Sequence, residues 1–514
     1  MRSRGSWFFV VLLLICAAGV ALELYTMRSG PAVRGDSVRY LMGARNLLAG
    51  NGFSRLSGGG EVFPETGFAP LLTFVLAGLG LAGIDMYAGS RLLNALLFGG
   101  SLFLVGTMTA TASRSRWLGL LACLFVLSAP NVVEWHAWLM SEALFVFLTL
   151  LTVFALVVYV QTGRMWVLLI AALTAGSASL ARYVGVSLIP AGALVVLLWS
   201  RGTWRERAVR AAIFGAVAIL PFVLWMARNA AVGGGGLANR AIRFHPIRPE
   251  VVRLLLFEPT SWMLPATVIL PRAVRGGLSA ILLLGGPALF LMEARRWKGR
   301  GALRAEGAVL QVLLMILVPL YVGILLANSL FLDAGTTLGA VLRYMTPLFV
   351  LVVLLEFTTY PRGFPSGWLR VPLAALLSTL IVLVLVSNLQ ASVAIARQSA
   401  SALGFPRVEG SWAALAARLA EQDAGEPILT DNPELVYYLI DRPAYAMPIK
   451  FDPYQQAFRE DYEQQIELAR HRLEAGAILV VFGEPSAEEA EVLDLLEVER
   501  LEAFEGAIVY GPGG

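Results

Sequence analysis

The chain has 514 residues, 57% of them hydrophobic and only 15% charged, with a net charge of +4. A water-soluble domain is about a quarter charged, so a soluble globular protein is excluded and most of the chain is expected in lipid. The slight basic excess carries no nucleic-acid footprint, because arginine in membrane proteins mainly reports topology and headgroup contact. The two cysteines, Cys16 and Cys123, both fall in apolar runs and leave the redox compartment unread.

At the N-terminus, Arg2 and Arg4 precede an apolar run from Trp7 to Leu22. The run has the outline of a signal peptide, with small residues at Ala18 to Ala21, and is read as an uncleaved first helix. Crossing about 30 Å of hydrocarbon takes about 20 mostly apolar residues. About eleven such spans are predicted, near 7–27, 91–111, 117–133, 142–161, 165–181, 184–200, 211–228, 275–293, 307–328, 345–360 and 371–391. Short basic connections alternate with the others: Arg114 and Arg116; Arg164; Arg201, Arg205, Arg207 and Arg210; Arg295, Arg296, Lys298, Arg300 and Arg304; Arg362 and Arg370. The positive-inside rule makes these cytoplasmic, which puts the N-terminus inside and the C-terminal end outside.

Two long segments, 28–90 and 229–274, are the expected external loops. Within the first, Ser37–Ala49 and Leu71–Gly83 are predicted to lie along the interface. The second of these is too short to span, is interrupted by Gly78 and Gly80, and is followed by Asp85. Residues 1–391 are thus expected as the membrane domain and 392–514 as a small soluble α/β domain outside. In that tail, Ser411–Gln422 and Tyr454–Glu474 read as helices, Asp431-Asn432-Pro433 as a helix start, and Pro427–Thr430, Ala477–Phe482 and Ala507–Tyr510 as strands. It carries no phosphate loop and no dinucleotide fingerprint. The one low-complexity tract is Gly233–Gly236.

Charged groups at a bilayer are expensive, so those outside the basic loops are candidates for function. They are Asp36, Arg45 and Glu65 in the first external loop; Glu134, His136 and Glu142 before the fourth span; then Arg182, Arg228, His245 and Arg343. In the expected topology all converge on one side of the membrane. Tyr40, Trp135, Trp138, Tyr183 and Tyr344 lie beside them, and Asn229 follows Arg228. A carboxylate able to take a proton from a hydroxyl, with arginine forks suited to phosphate oxygens, is the equipment for sugar transfer from a lipid phosphate. Plainer roles stand beside these. Asp36 is suited to a helix cap, Glu142 to the first turn of a helix, the arginines to headgroup snorkelling, and the tryptophans to an interfacial belt. His136 and His245 lack the close ligand spacing of a metal site, and the metal requirement is left open.

An ordered set of segments carries a resemblance: Asp36-Ser37-Val38-Arg39-Tyr40; Ala44-Arg45-Asn46-Leu47-Leu48-Ala49-Gly50-Asn51-Gly52-Phe53; Arg91-Leu92-Leu93-Asn94-Ala95-Leu96; Ser141-Glu142-Ala143-Leu144-Phe145; Arg182-Tyr183-Val184-Gly185; Arg228-Asn229; and Arg343-Tyr344 with Pro347. Together they resemble the GT-C superfamily of membrane glycosyltransferases, in the branch of the protein O-mannosyltransferases and the lipid A aminoarabinose transferase. Thr430-Asp431-Asn432-Pro433-Glu434 and Tyr437-Tyr438-Leu439 resemble the small external domain of bacterial members. The resemblance implies a multi-pass protein of the bacterial inner membrane that uses a polyprenyl-phosphate-linked sugar as donor. It also implies an inverting reaction with Asp36 as base and Glu142 as a second acid. Tyr40, Arg45, Glu65, Arg182, Tyr183, Arg228, Asn229, Arg343 and Tyr344 are then expected on the substrates. The chain departs from the family in having Gly67-Phe68-Ala69-Pro70-Leu71 after the first loop motif and no adjacent Asp-Glu pair, which leaves the sugar and the acceptor open. A transporter or flippase of lipid-linked sugars and an inactive envelope-binding relative are the rival readings. No inverted repeat is visible in support of transport.

Overall fold

The computed structural model describes residues 6–233, 242, 244, 246–247, 249–262, 271–294, 306–332, 338–359, 370–400, 403–423, 425–452 and 457–513. His245 lies outside the described residues. Helix α1 (Ser6–Thr26) is apolar apart from the buried Glu23, and its stripe Phe8, Leu12 and Cys16 joins the core it shares with α4 (Met86–Ser113) and the helix after it. Glycines allow the approach. A Cβ on Gly99 would lie 2.6 Å from Val20, and one on Gly106 would lie 2.5 Å from Leu12, the close-contact logic of small residues between membrane helices. Between these two helices come α2 (Gly35–Leu48), a hairpin of β1 (Ser54–Leu56) and β2 (Val62–Pro64), and α3 (Leu71–Leu81). Helices α2 and α3 stand where the sequence places interfacial helices and pack on each other; the hairpin was not anticipated.

The run expected as one span over 117–133 is instead α5 (Arg116–Leu127) and α6 (Pro130–His136), bent by 62°. Pro130 opens α6, where its missing N–H costs nothing, and cannot continue α5. The Ser392 hydroxyl donates to the Ser128 carbonyl at the break, at 2.8 Å. Next come α7 (Glu142–Thr162) and α8 (Met165–Ala181), close to the predicted bounds. The expected span 184–200 is a 3-10 turn, Tyr183–Ser187, leading into α9 (Leu188–Trp199). The turn is tight: a Cβ on Gly185 would lie 2.6 Å from the Ala178 carbonyl. Then follow α10 (Trp204–Ala231), α11 (Pro249–Ser261), α12 (Arg272–Ala294), α13 (Glu306–Phe331), α14 (Leu338–Thr359) and α15 (Arg370–Gln398). Of these, α11 is an addition inside the second expected loop.

Among the described residues, six helices are long and apolar enough to cross a membrane, or seven if α5 and α6 form one bent span. Of the predicted spans, those over 117–133, 165–181 and 184–200 fall outside this count because α5 is broken and α8 and α9 are shorter. The chain is a membrane protein.

The C-terminal residues form a five-stranded mixed sheet in the order β4-β3-β7-β9-β8. The elements of this region are α16 (Ser411–Ala420), β3 (Ile428–Thr430), α17 (Pro433–Ile440), β4 (Tyr445–Ala446), β5 (Phe451–Asp452), β6 (Ala457–Phe458), α18 (Tyr462–Glu474), β7 (Ile478–Phe482), α19 (Ala487–Leu495), β8 (Val498–Phe504) and β9 (Ala507–Pro512), with β5 and β6 pairing apart from the sheet. Strand β3 pairs in parallel with β4 and β7, while β7, β9 and β8 run antiparallel. Alternate residues feed two cores, Ile428, Val480 and Val509 on one face with Leu415 and Val436, Leu429, Leu479 and Val481 on the other with Ile466 and Val492. The helix expected over 454–474 begins at Tyr462, because β6 occupies part of the preceding stretch.

Candidate active site

Asp36 and Glu142 come together because the chain before each is tied to the other. Ala32 N–H donates to the Ala137 carbonyl at 2.9 Å, and Leu139 N–H donates to the Ala32 carbonyl at 2.9 Å. Asn94 on α4, which is 2% exposed, donates from Nδ2 to the carbonyls of His136 at 3.0 Å and Trp138 at 2.8 Å. The His136 carbonyl ends α6 without a helical partner, so Asn94 supplies one, while the Trp138 carbonyl also accepts from Met140 N–H at 2.8 Å. Asn94→Ala leaves the buried His136 carbonyl without this donor and should cost about 1–3 kcal/mol, read as a lower thermal midpoint of the detergent-solubilised protein.

Four charged side chains from four elements meet beyond this junction. Arg343, in the first turns of α14, donates from Nη1 to Asp36 Oδ2 at 2.5 Å, and its Nε lies 3.7 Å from Glu142 Oε1. Arg182, in the extended link after α8, donates from Nη1 to Glu142 Oε1 and to Ser141 Oγ, the latter at 3.4 Å. Tyr40 donates to the same Ser141 Oγ at 3.4 Å. The Tyr344 ring takes the Arg182 guanidinium at 4.5 Å and that of Arg343 at 5.7 Å. Burial is graded across the cluster. The Glu142 side chain is 0% exposed, Arg182 8%, Arg343 16% and Asp36 30%. Asp36 is therefore the group most open to a visiting molecule. Glu142 Oε2 and Arg343 Nε are buried without a hydrogen-bond partner, and unsatisfied polar atoms in such a place invite a ligand.

Burial alone would raise the Asp36 pKa. Arg343, by charge and hydrogen bond, with help from Arg34 and Arg182, outweighs it and holds the carboxyl below the usual range.

The remaining expected residues are placed elsewhere by their bonds. Arg228 donates from Nη1 to the Glu65 carbonyl at 2.6 Å and to Asn229 Oδ1 at 3.0 Å, and from Nη2 to the Phe53 carbonyl at 2.7 Å. Asn229 Nδ2 donates to the Thr66 carbonyl at 3.2 Å. Tyr183 donates to the Phe68 carbonyl at 3.0 Å and accepts from Trp225 Nε1 at 3.2 Å. Glu65 Oε1 accepts from Gly67 N–H at 2.7 Å, while its Oε2 is buried with no partner. These side chains hold the segment 53–68 down on α10. Arg45 pairs with Asp441 on the tail. His136 is fully buried, its Nδ1 donating to the Val132 carbonyl at 2.8 Å. Among the described residues no group of three or more His, Cys, Asp or Glu side chains is gathered as for a metal ion. Asn94 and Ser141 stood inside the motifs read from the sequence but drew no role there, because their partners are backbone carbonyls and long-range side chains.

Residues 85–225 match the family described as dolichyl-phosphate-mannose-protein mannosyltransferase. No curated protein sequence matches the chain. Among solved structures, ArnT from Cupriavidus metallidurans bound to undecaprenyl phosphate superposes with a TM-score of 0.59 at 14% identity, over 99% of this chain and 98% of that one. The archaeal oligosaccharyltransferase AglB from Archaeoglobus fulgidus, in complex with an inhibitory peptide and a dolichol-phosphate, gives 0.56 at 11% identity, over 94% and 70%. The mycobacterial arabinofuranosyltransferase AftD gives 0.53 at 15% identity, over 98% and 41%. The chain therefore has the fold of the GT-C superfamily of membrane glycosyltransferases.

Proposed function

We propose that the protein moves a sugar from a polyprenyl-phosphate donor to an acceptor hydroxyl at the outer face of the membrane, with inversion. The observation that carries this reading is the partly open Asp36 carboxylate set against Arg343, with Arg182 and Glu142 buried behind it. Asp36 accepts the acceptor's hydroxyl proton as that oxygen attacks the anomeric carbon. The bond between that carbon and the phosphate oxygen breaks, and its electron pair leaves with the lipid phosphate. Arg343 and Arg182 meet the phosphate charge, which suits the arginine fork better than a point charge would. Glu142 holds both guanidiniums in place. The fold likeness to proteins whose structures hold undecaprenyl phosphate and a dolichol-phosphate supports the donor class. The tail packs directly on α2, through Arg39 and Glu434, which supports placing both on the same external side.

The test is the purified protein in vesicles with a panel of labelled polyprenyl-phosphate sugars and an envelope extract as acceptor source. Label passing to a new covalent product supports the enzyme. Label crossing the bilayer unchanged would favour a flippase, and neither outcome a binder.

The pH dependence follows from the ion pair. A depressed carboxyl contributes stability above its ordinary value of about 3.9 and loses it only as pH falls through the lowered value. As far as Asp36 is concerned, kcat/KM should then hold down to about pH 4. Arg343→Gln leaves burial largely unopposed and should move that acid limb upward, as a pH–rate profile would register. An unmoved limb would separate Asp36 from the reaction.

A further inference from the structure

Helices α2 and α17 lie side by side and are matched in charge at both ends. Arg39 Nε donates to Glu434 Oε1 at 3.2 Å, in the first turn of α17. Arg45 donates to Asp441, which caps the other end of α17 in a left-handed conformation, and to Tyr437 Oη at 3.5 Å. At about 1.5 Å per residue, the two arginines are separated by about 9 Å along α2 and the two acids by about 10.5 Å along α17. The spacings correspond, and the pairs follow in the same order, so the two helices run parallel in a fixed register. Beside the pairs, Val38 and Met42 share a small apolar cluster with Tyr437. The contact reaches the residue before Asp36, since a Cβ on Gly35 would lie 3.6 Å from Glu434 Cγ. The β1–β2 hairpin docks on the tail too: Cβ atoms on Gly58 and Gly59 would lie 2.4 and 2.5 Å from Tyr445.

We propose that α17 is the positioning element of the Asp36 helix, Glu434 and Asp441 fixing the rotation and register of α2 through Arg39 and Arg45 so that Asp36 meets Arg343. This deepens the glycosyltransferase reading and rests on it. Arg39 lies three residues beyond Asp36, on the neighbouring position of the same helix face, so a shift at Arg39 carries Asp36 with it. The side chains of both pairs are about a third to two thirds exposed, and such pairs add little to stability. Their effect is on placement, where a displacement of about 1 Å can lower a rate about 10²-fold.

The test uses the full chain reconstituted in vesicles with a panel of labelled polyprenyl-phosphate sugars and an envelope extract as acceptor source, comparing Glu434→Arg, Arg39→Glu and the double exchange of both. Each single variant should lower kcat about tenfold or more, with donor KM within about twofold and a raised acid limb in the pH–rate profile. Hydrogen exchange across residues 35–48 should quicken in the singles. The double exchange should bring kcat back to within about threefold of the parent and slow the exchange again. Quickened exchange with an unchanged kcat would overturn the positioning role and leave the enzyme reading intact, as would a double variant no better than the singles. Absence of transfer by the parent protein would remove the reading and this proposal together, while the exchange data still report whether the helices dock.

Discussion

Asp36→Asn is expected to lower sugar transfer by about 10²–10⁴-fold, the contribution of a positioned proton acceptor, while the protein still inserts and still binds its lipid donor. The asparagine carbonyl is able to accept from Arg343 as Asp36 does, so the local packing has a substitute partner. What it lacks is the capacity to take the acceptor's proton. The measurement is the rate of label transfer per folded protein from the polyprenyl-phosphate sugar the parent protein uses, beside the donor retained on the protein at equilibrium. Lost turnover with retained donor supports Asp36 as the base. Near-normal turnover would assign the proton to another group and leave Asp36 as the partner of Arg343 only.

Glu142→Ala is expected to be the most destabilising change at the site. Its carboxylate is fully buried and engages both Arg182 and Arg343. Removing one member of a buried pair leaves an uncompensated charge and costs about 3–5 kcal/mol, whereas replacing both members by apolar groups is often neutral or better. Glu142→Ala should therefore accumulate poorly and unfold early in detergent. Glu142→Leu combined with Arg182→Met should recover much of that stability and still transfer no sugar. A double variant as unstable as the single would show that Glu142 acts on the fold mainly through Arg343. A double variant with full activity would remove the buried pair from the reaction.

The apolar architecture was legible because lipid dictates composition: α7 and α8 stand within a residue or so of their predicted places. The break between α5 and α6 was not, although its signal was present. Ser128-Ala129-Pro130 interrupts a run whose halves are both apolar, and hydropathy averages across such a break. In the tail, β7 and β9 were legible as buried strands. Strand β8 is an exposed edge, rich in Glu and Arg, and shows no alternation to read. At the site, the residue types were legible from motif order, while the meeting of Asp36, Glu142, Arg182 and Arg343 is visible only in the structure. The pairings were not legible, since Asp36 and Arg343 are 307 residues apart and Arg39 and Glu434 are 395 apart. Nor could the sequence separate Arg228, held by backbone carbonyls, from Arg182 and Arg343, which face carboxylates. That distinction depends on where the segment 53–68 folds back.

The account requires the helix that bears Asp36 and the C-terminal sheet to occupy one side of the membrane. Single cysteines at the exposed positions Glu61 and Lys450, in a chain lacking Cys16 and Cys123, give the direct measurement with a membrane-impermeant maleimide on intact cells. Both should label from outside without permeabilisation. Labelling of one alone, with the other reached only after the membrane is opened, would contradict the account.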